Sequence, residues 1–189
     1  MSYKFVLFDL DGTLLASAPG IMRCIKETLD NNNINYNPND LVKMIGPPFR
    51  VSMQKYCGMS LAESEKFILE YRQRYDEYGW KMSKIYNGIP ELLCGLKSKG
   101  FKLATATSKP EKFTKKMLDF HNLTKYFDFI GSALNDKNRE SKQDVINWTL
   151  ENLQVKNRDE AIMIGDRLYD IVGARECGLD TIAVLWGYG

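Results

Sequence analysis

Asp9 and Asp11 close the run Phe5-Val6-Leu7-Phe8 and are followed at once by Gly12 and Thr13. Two carboxylates that close repel and raise each other's pKa. The pairing is useful when both must face one reacting centre, one staying ionised to attack and the other carrying a proton. Gly12 permits the tight turn and brings backbone N–H groups toward an anion. A second acidic pair stands in Gly165-Asp166-Arg167-Leu168-Tyr169-Asp170. Thr107, Ser108 and Lys109 add hydroxyls and an ammonium group, and Lys142 adds another. Four carboxylates in an apolar frame repel strongly without a cation, and hard oxygen donors with open positions suit Mg²⁺. Asp9, Asp11, Asp166 and Asp170 are therefore the candidate metal ligands.

These residues need a frame that gathers them. Short apolar runs recur at Phe5 to Phe8, Phe101 to Ala106, Phe127 to Ile130, Ala161 to Ile164 and Thr181 to Leu185, each too short for a helix. Helical patterns lie between them: Leu92, Leu93 and Leu96 after Pro90; Phe113, Met117 and Phe120; Ile146, Leu150 and Leu153; Leu168, Ile171 and Ala174. Strands alternating with helices predict βαβ units and a parallel sheet, whose ligands bind beyond the carboxyl ends of the strands. The acids, Thr107 and Lys142 all fall at that edge. Residues 17–83 break the rhythm. They show no strand-like run, a helical face at Ile21, Ile25 and Leu29, and a capping box at Ser60 and Glu63. The expectation is an α/β protein, a Rossmann-like doubly wound parallel sheet formed by residues 1–16 and 84–189, with residues 17–83 inserted as a small helical-bundle cap.

Composition narrows the function classes. The chain has 189 residues, 44% of them hydrophobic, and a formal net charge of +2, enough for a core and too balanced to mark a nucleic-acid or membrane surface. Four scattered cysteines show no CxxC pairing and suit reduced thiols. There is no leader-like start and no apolar run near the ~20 residues of a membrane span. A cytoplasmic protein acting on a small molecule, with no nucleic acid polymer and no membrane as partner, is expected, as a monomer or weak dimer.

By chance D-x-D-G-T occurs about once in a thousand chains of this size, and G-D-x-x-x-D in a few per hundred. Their joint occurrence at two strand ends resembles the haloacid dehalogenase-like hydrolase superfamily, with Thr107 and Lys142 matching its second and third motifs. The helical insert, "MIGPPFRVSM" and the closing "GDRLYDIVGARECGLDTIAVLWGYG" are similar to the bacterial group of phosphoglycolate phosphatases and 5′-nucleotidases. The resemblance implies Asp9 as a nucleophile forming an aspartyl-phosphate and Asp11 as general acid and base, its backbone carbonyl also on the metal. It implies Thr107 and the Ser108 amide on the phosphoryl oxygens, Lys142 steadying Asp9 and the phosphate, and Asp166 with Asp170 completing a Mg²⁺ shell. Asp11 argues against a true dehalogenase, whose leaving halide needs no proton. Two departures stand out. Ala16 occupies a position at the hinge into the cap that is usually Asp, in the pattern D-G-T-L-x-D-S, and relatives continue past the closing Gly-Tyr-Gly, which makes the last strand an expected edge.

The implied activity is Mg²⁺-dependent hydrolysis of a small phosphorylated metabolite, phosphoglycolate first and a nucleoside monophosphate second. A sugar-phosphate mutase and a non-catalytic phosphate-binding protein are the further alternatives. Gly12, Ser108, Lys109, Gly46, Pro47 and Arg50 are the candidate substrate-binding residues, the last three in a stiff Gly46-Pro47-Pro48 loop of the cap. Taken singly, several have plainer explanations. Asp166 suits a helix N-cap, Asp170 a partner for Lys142 or Arg167, Lys109 and Arg50 surface charges, and Tyr71, Tyr75 and Tyr78 packing within the cap. His121, the only histidine, sits at a helix end and leaves no histidine-based catalysis to propose.

Overall fold

The structure, a computed structural model, describes residues 3–47, 49–134, 139 and 141–189. Pro48 of the Gly46-Pro47-Pro48 loop lies outside them. The chain separates into two compact units, one of residues 1–16, 84–187 and 189, the other of residues 17–83 with Tyr188.

The first unit is a parallel sheet flanked by helices. Its strands are β1 (Phe5–Phe8), β4 (Lys102–Pro110), β5 (Phe129–Ala133), β6 (Ala161–Gly165) and β7 (Asp180–Ala183), in the order β5-β4-β1-β6-β7. Every ladder is parallel, with Phe8 opposite Thr105 on one side and Ile164 on the other. β1 is central and almost wholly apolar because both its faces are covered, and Val6, Leu7 and Phe8 are buried. Each such side chain contributes roughly 1.5–3 kcal/mol of burial. The chain leaves β1 toward β4 and β5, then returns to β6 and β7 on its other side. That reversal puts the topological switch point at the carboxyl end of β1, where Asp9 begins.

The helices of this unit are α4 (Ile89–Ser98), α5 (Glu111–Phe120), α6 (Lys142–Asn152) and α7 (Leu168–Glu176). Ile146 and Leu150 of α6 join Leu7, Ala106 and Met163 in one core cluster. Three expected apolar faces are only partly inward. Leu92, Phe120, Leu168 and Ile171 are exposed, the third of them 70%. Leu92 and Leu93 are adjacent, so only one can face the sheet. Phe120 ends its helix against the ring of His121. α7 buries Asp170, Gly173 and Ala174 instead of its large apolar residues.

Two short strands were not legible in the sequence. β2 (Leu15–Ala16) and β3 (Lys84–Ile85) pair antiparallel, Ala16 opposite Lys84, where the chain leaves and re-enters this unit. At two residues each they carry no periodic signal.

The second unit is helical, built on α1 (Ala18–Asn31), α2 (Phe49–Cys57) and α3 (Leu61–Glu77). Ile21, Ile25 and Leu29 are buried as their spacing predicts, and the Ser60/Glu63 capping box opens α3. Tyr71 and Tyr75 are buried and stack on one another, and Phe49 packs on Tyr71 with ring centroids 4.4 Å apart. The Tyr78 hydroxyl bonds Glu27. Tyr71 and Tyr75 are core packing, and Tyr78 is half-buried at the end of α3. α1 approaches closely at Gly20, where a Cβ would lie 1.9 Å from the Gly79 carbonyl oxygen.

Candidate active site

The carboxyl ends of β1, β4 and β6 and the first turns of α6 and α7 bring six charged side chains of the first unit together. Asp9 follows β1 directly, its N–H donating to the Ile164 carbonyl at 2.9 Å. Its Oδ1 accepts from Lys142 Nζ at 2.7 Å, and Lys142 also donates to the Ala106 carbonyl at 2.9 Å and lies 2.6 Å from Asp170 Oδ1. Lys142 is the first residue of α6, set there by the Ser141/Asp144 capping box. Its ammonium group is buried. Burial opposes the charge, but Asp9 and Asp170 outweigh it and raise the pKa above the ordinary lysine value. Asp170 is held in turn by the Arg167 N–H (2.9 Å), and burial pushes its carboxyl upward against the pull of Lys142.

The second lysine is equally enclosed. Lys109 Nζ pairs with Asp11 Oδ2 at 2.7 Å with 5% of its side chain exposed, which corrects the alternative of a surface charge. The pairing of β4 with β5 shifts between Thr107 and Pro110. Such a bulge redirects side chains, and here it buries Lys109 beside Asp11 and leaves Ser108 exposed. Thr107 is buried, its hydroxyl accepting from the Lys109 N–H at 3.2 Å. Asp11 Oδ1 is buried without a hydrogen-bond partner among the described residues. It is an acceptor left open beside a fixed cation.

Gly12 has φ +90, and a Cβ there would lie 2.3 Å from Asp166 Oδ2. Its N–H donates to the Leu15 carbonyl at 2.9 Å, and the glycine supplies a left-handed turn and room for Asp166. Asp166 in turn accepts from the Thr13 hydroxyl at 3.2 Å. Thr13 had no assigned role, although it belongs to the motif. Other glycines perform the same service. A Cβ at Gly165 would meet Asp170, one at Gly187 would meet Asp166, and one at Gly173 would lie 2.7 Å from Lys142 Cγ. Gly173 was detectable, since a glycine inside a helix costs roughly 1 kcal/mol relative to alanine and needs a reason.

Gly46, Pro47 and Arg50 belong to the helical unit. Gly46 is exposed with φ +101, Pro47 is half-buried, and exposed Arg50 lies 3.4 Å from Glu65. Asp9, Asp166 and Asp170 each offer an oxygen within 4.8 Å of the others, and all three are buried. Counting Asp11, four carboxylates face two ammonium groups, an excess of two negative charges that a divalent cation would neutralise. The all-oxygen donor set fits a hard ion of the Mg²⁺ type. Asp11 enters the ion pair with Lys109 and not this cluster.

A model of the haloacid dehalogenase-like hydrolases matches residues 6–184. The chain belongs to this family. Among curated relatives, the tyrosine-protein kinase PtkA of Mycobacterium tuberculosis (strain ATCC 25618 / H37Rv) is 37% identical over 190 residues, covering 100% of this chain and 64% of its own. The chain thus spans 64% of that relative's length. The phosphoglycolate phosphatase of Aquifex aeolicus is 37% identical over 188 residues, 98% of this chain and 86% of its own. A solved structure described as a predicted phosphatase from Clostridium acetobutylicum superposes with a TM-score of 0.94 at 40% identity, covering 100% of this chain and 88% of that one. No helix among the described residues is long and apolar enough to cross a membrane.

Proposed function

We propose that this protein is a Mg²⁺-dependent phosphatase that hydrolyses a small phosphomonoester through an aspartyl-phosphate on Asp9, with phosphoglycolate the leading substrate. The observation that carries the reading is the division of the acids. Asp9 is gripped by Lys142 beside Asp166 and Asp170, while Asp11 is held separately by Lys109. One carboxylate is thereby oriented for attack beside a fixed ammonium group, and the other is free of that task.

In the first step an Asp9 oxygen attacks phosphorus, the bond to the leaving alkoxide breaks, and Asp11 delivers a proton to that oxygen. In the second, Asp11 takes a proton from water as the water attacks phosphorus, and the Asp9–phosphate bond breaks to release inorganic phosphate. Lys142 and Lys109 offset charge on the phosphoryl oxygens, and Thr107 with the Ser108 N–H completes the cradle. Asp9 and Asp166, with Asp170 beside them, would hold Mg²⁺, which when bound lowers the repulsion between an anionic phosphate and the Asp9 carboxylate. We assign residues 17–83 as the cap that selects the substrate, with Gly46, Pro47 and Arg50 its proposed contacts. PtkA favours a second reading, in which the same phosphoryl group passes to a tyrosine hydroxyl instead of water.

A panel of phosphorylated metabolites, including phosphoglycolate and nucleoside monophosphates, tests the proposal by release of inorganic phosphate. Turnover with Mg²⁺ that disappears on chelation is expected. Label retained on tyrosine, without phosphate release, would favour the second reading.

A further inference from the structure

We propose that Arg139 is a positioning residue that sets Lys142 in the site, an inference that rests on the role given to Lys142 above. Arg139 is charged yet only 6% exposed. A guanidinium is buried only where its donors and its face are matched. Its Nε donates to the Ser132 carbonyl at 2.7 Å, and its Cζ lies 3.3 Å from the centroid of the Trp148 ring. One terminal nitrogen is 3.7 Å from Glu111 Oε2, and its own carbonyl accepts from the Leu134 N–H at 3.0 Å.

Each contact falls on a carrier of the site. Ser132 is the partner of Thr107 in the β4–β5 ladder. Glu111 opens α5 directly after the bulge that buries Lys109. Trp148 lies on α6 and is braced from the sheet by Phe129, ring centroids 4.8 Å apart. Arg139 stands three residues before Lys142 in the chain. It therefore ties the end of β5 to α6 immediately upstream of the helix's first residue. Lys142 must reach Asp9, Asp170 and the Ala106 carbonyl at once. A displacement of the α6 start by about 1 Å is enough to lose a large factor in rate. A desolvated guanidinium over tryptophan is among the strongest cation–π arrangements, and it holds that start.

Arg139→Met keeps an apolar stem on Trp148 and removes the donors and the charge, while Arg139→Lys keeps charge and one donor group. The first readout is independent of activity: competitive acylation of lysines, read by mass spectrometry. In Arg139→Met, labelling of Lys142 should rise at least ~10-fold and that of Lys109, also held by the β4–β5 ladder, less than ~3-fold. Arg139→Lys should fall between wild type and Arg139→Met, and it carries the test if Arg139→Met does not fold. The second readout is kinetic. Arg139→Met should lower kcat at least ~10-fold with KM within ~3-fold, and the same change made in a Lys142→Met background should alter kcat less than ~2-fold. Equal labelling of both lysines, unchanged labelling of Lys142, or additive kinetic losses would overturn the assignment. A wild-type protein that hydrolyses no ester would instead remove the phosphatase reading and leave the labelling result standing.

Discussion

Asp9 and Asp11 differ by two positions in sequence and by their cation in space, Lys142 for the first and Lys109 for the second. The spacing was legible because two acids followed by Gly-Thr at a strand end have no good structural explanation. The cations were harder to find. Lys109 was a candidate from its place in the sequence, but its pairing with Asp11 became apparent only through the bulge that turns it inward, and Thr13 only through its bond to Asp166. The division of labour has a kinetic consequence. If Asp11 protonates the leaving oxygen and later activates water, its loss harms both half-reactions, but a good leaving group needs little help in the first. Asp11→Asn is expected to reduce steady-state hydrolysis of an alkyl phosphate at least ~100-fold. With a nitrophenyl ester, formation of the phosphoenzyme should be spared while its breakdown stays slow. Rapid-quench kinetics on the two esters would show this as a burst followed by a slow phase. Equal loss of the first step on both esters would contradict the role.

The elements were read well where one face meets the core and poorly where a face meets the site. The ladders of β1 with β4 and β6, and the inner face of α1, follow their apolar pattern, whereas the last strand runs Asp180–Ala183, short of the expected end at Leu185, and is largely exposed. α7 does not, because its inward face holds Asp170 and the gap at Gly173 through which the Lys142 stem passes, so its large apolar residues point outward. β4 runs to Pro110, past the expected end at Ala106, because Thr-Ser-Lys-Pro resembles a turn and is in fact a bulged strand end. Element joints also carry charge. Asp128, just before β5, accepts from the Leu103 N–H at 2.9 Å and pairs with Lys97 of α4 and with Lys102, at 2.8 and 3.1 Å. Burial alone would raise its carboxyl, but Lys97, the Leu103 N–H and Lys102 outweigh it and bring the pKa to about 2, below the ordinary 3.8. A depressed folded-state value stabilises the protein above the unfolded value, and that contribution is lost as pH falls through about 2. Solvent at the lysines screens part of it. Asp128→Asn should therefore cost ~1 kcal/mol near neutral pH, with the gap to wild type closing as pH falls from about 4 to about 2. Urea melts across that range measure it, and a gap that stays constant would assign the loss to shape and not to charge.

At the scale of the whole molecule, the parallel sheet with β1 at its centre is the reason that residues as distant as Asp9 and Asp170 meet. Doubly wound topology sends every carboxyl end to one edge and opens the switch point beside β1. The alternation of apolar runs and helical patterns made this sheet legible, and the residues at the strand ends followed from it. The Arg139 tie was not legible, because a lone arginine in a polar stretch carries no pattern until Ser132 and Trp148 are placed around it. Substrate choice is likewise outside the reach of the core motifs, which treat all phosphate esters alike. The account stands on one covalent bond, between phosphorus and an oxygen of Asp9. Acid quench during turnover with Mg²⁺ and a phosphorylated substrate, followed by peptide mass spectrometry, looks for it directly. Phosphate on the peptide containing Asp9, labile to base and absent in Asp9→Asn, is the predicted result. Turnover with no phosphorylated Asp9, or undiminished turnover in Asp9→Asn, would contradict it.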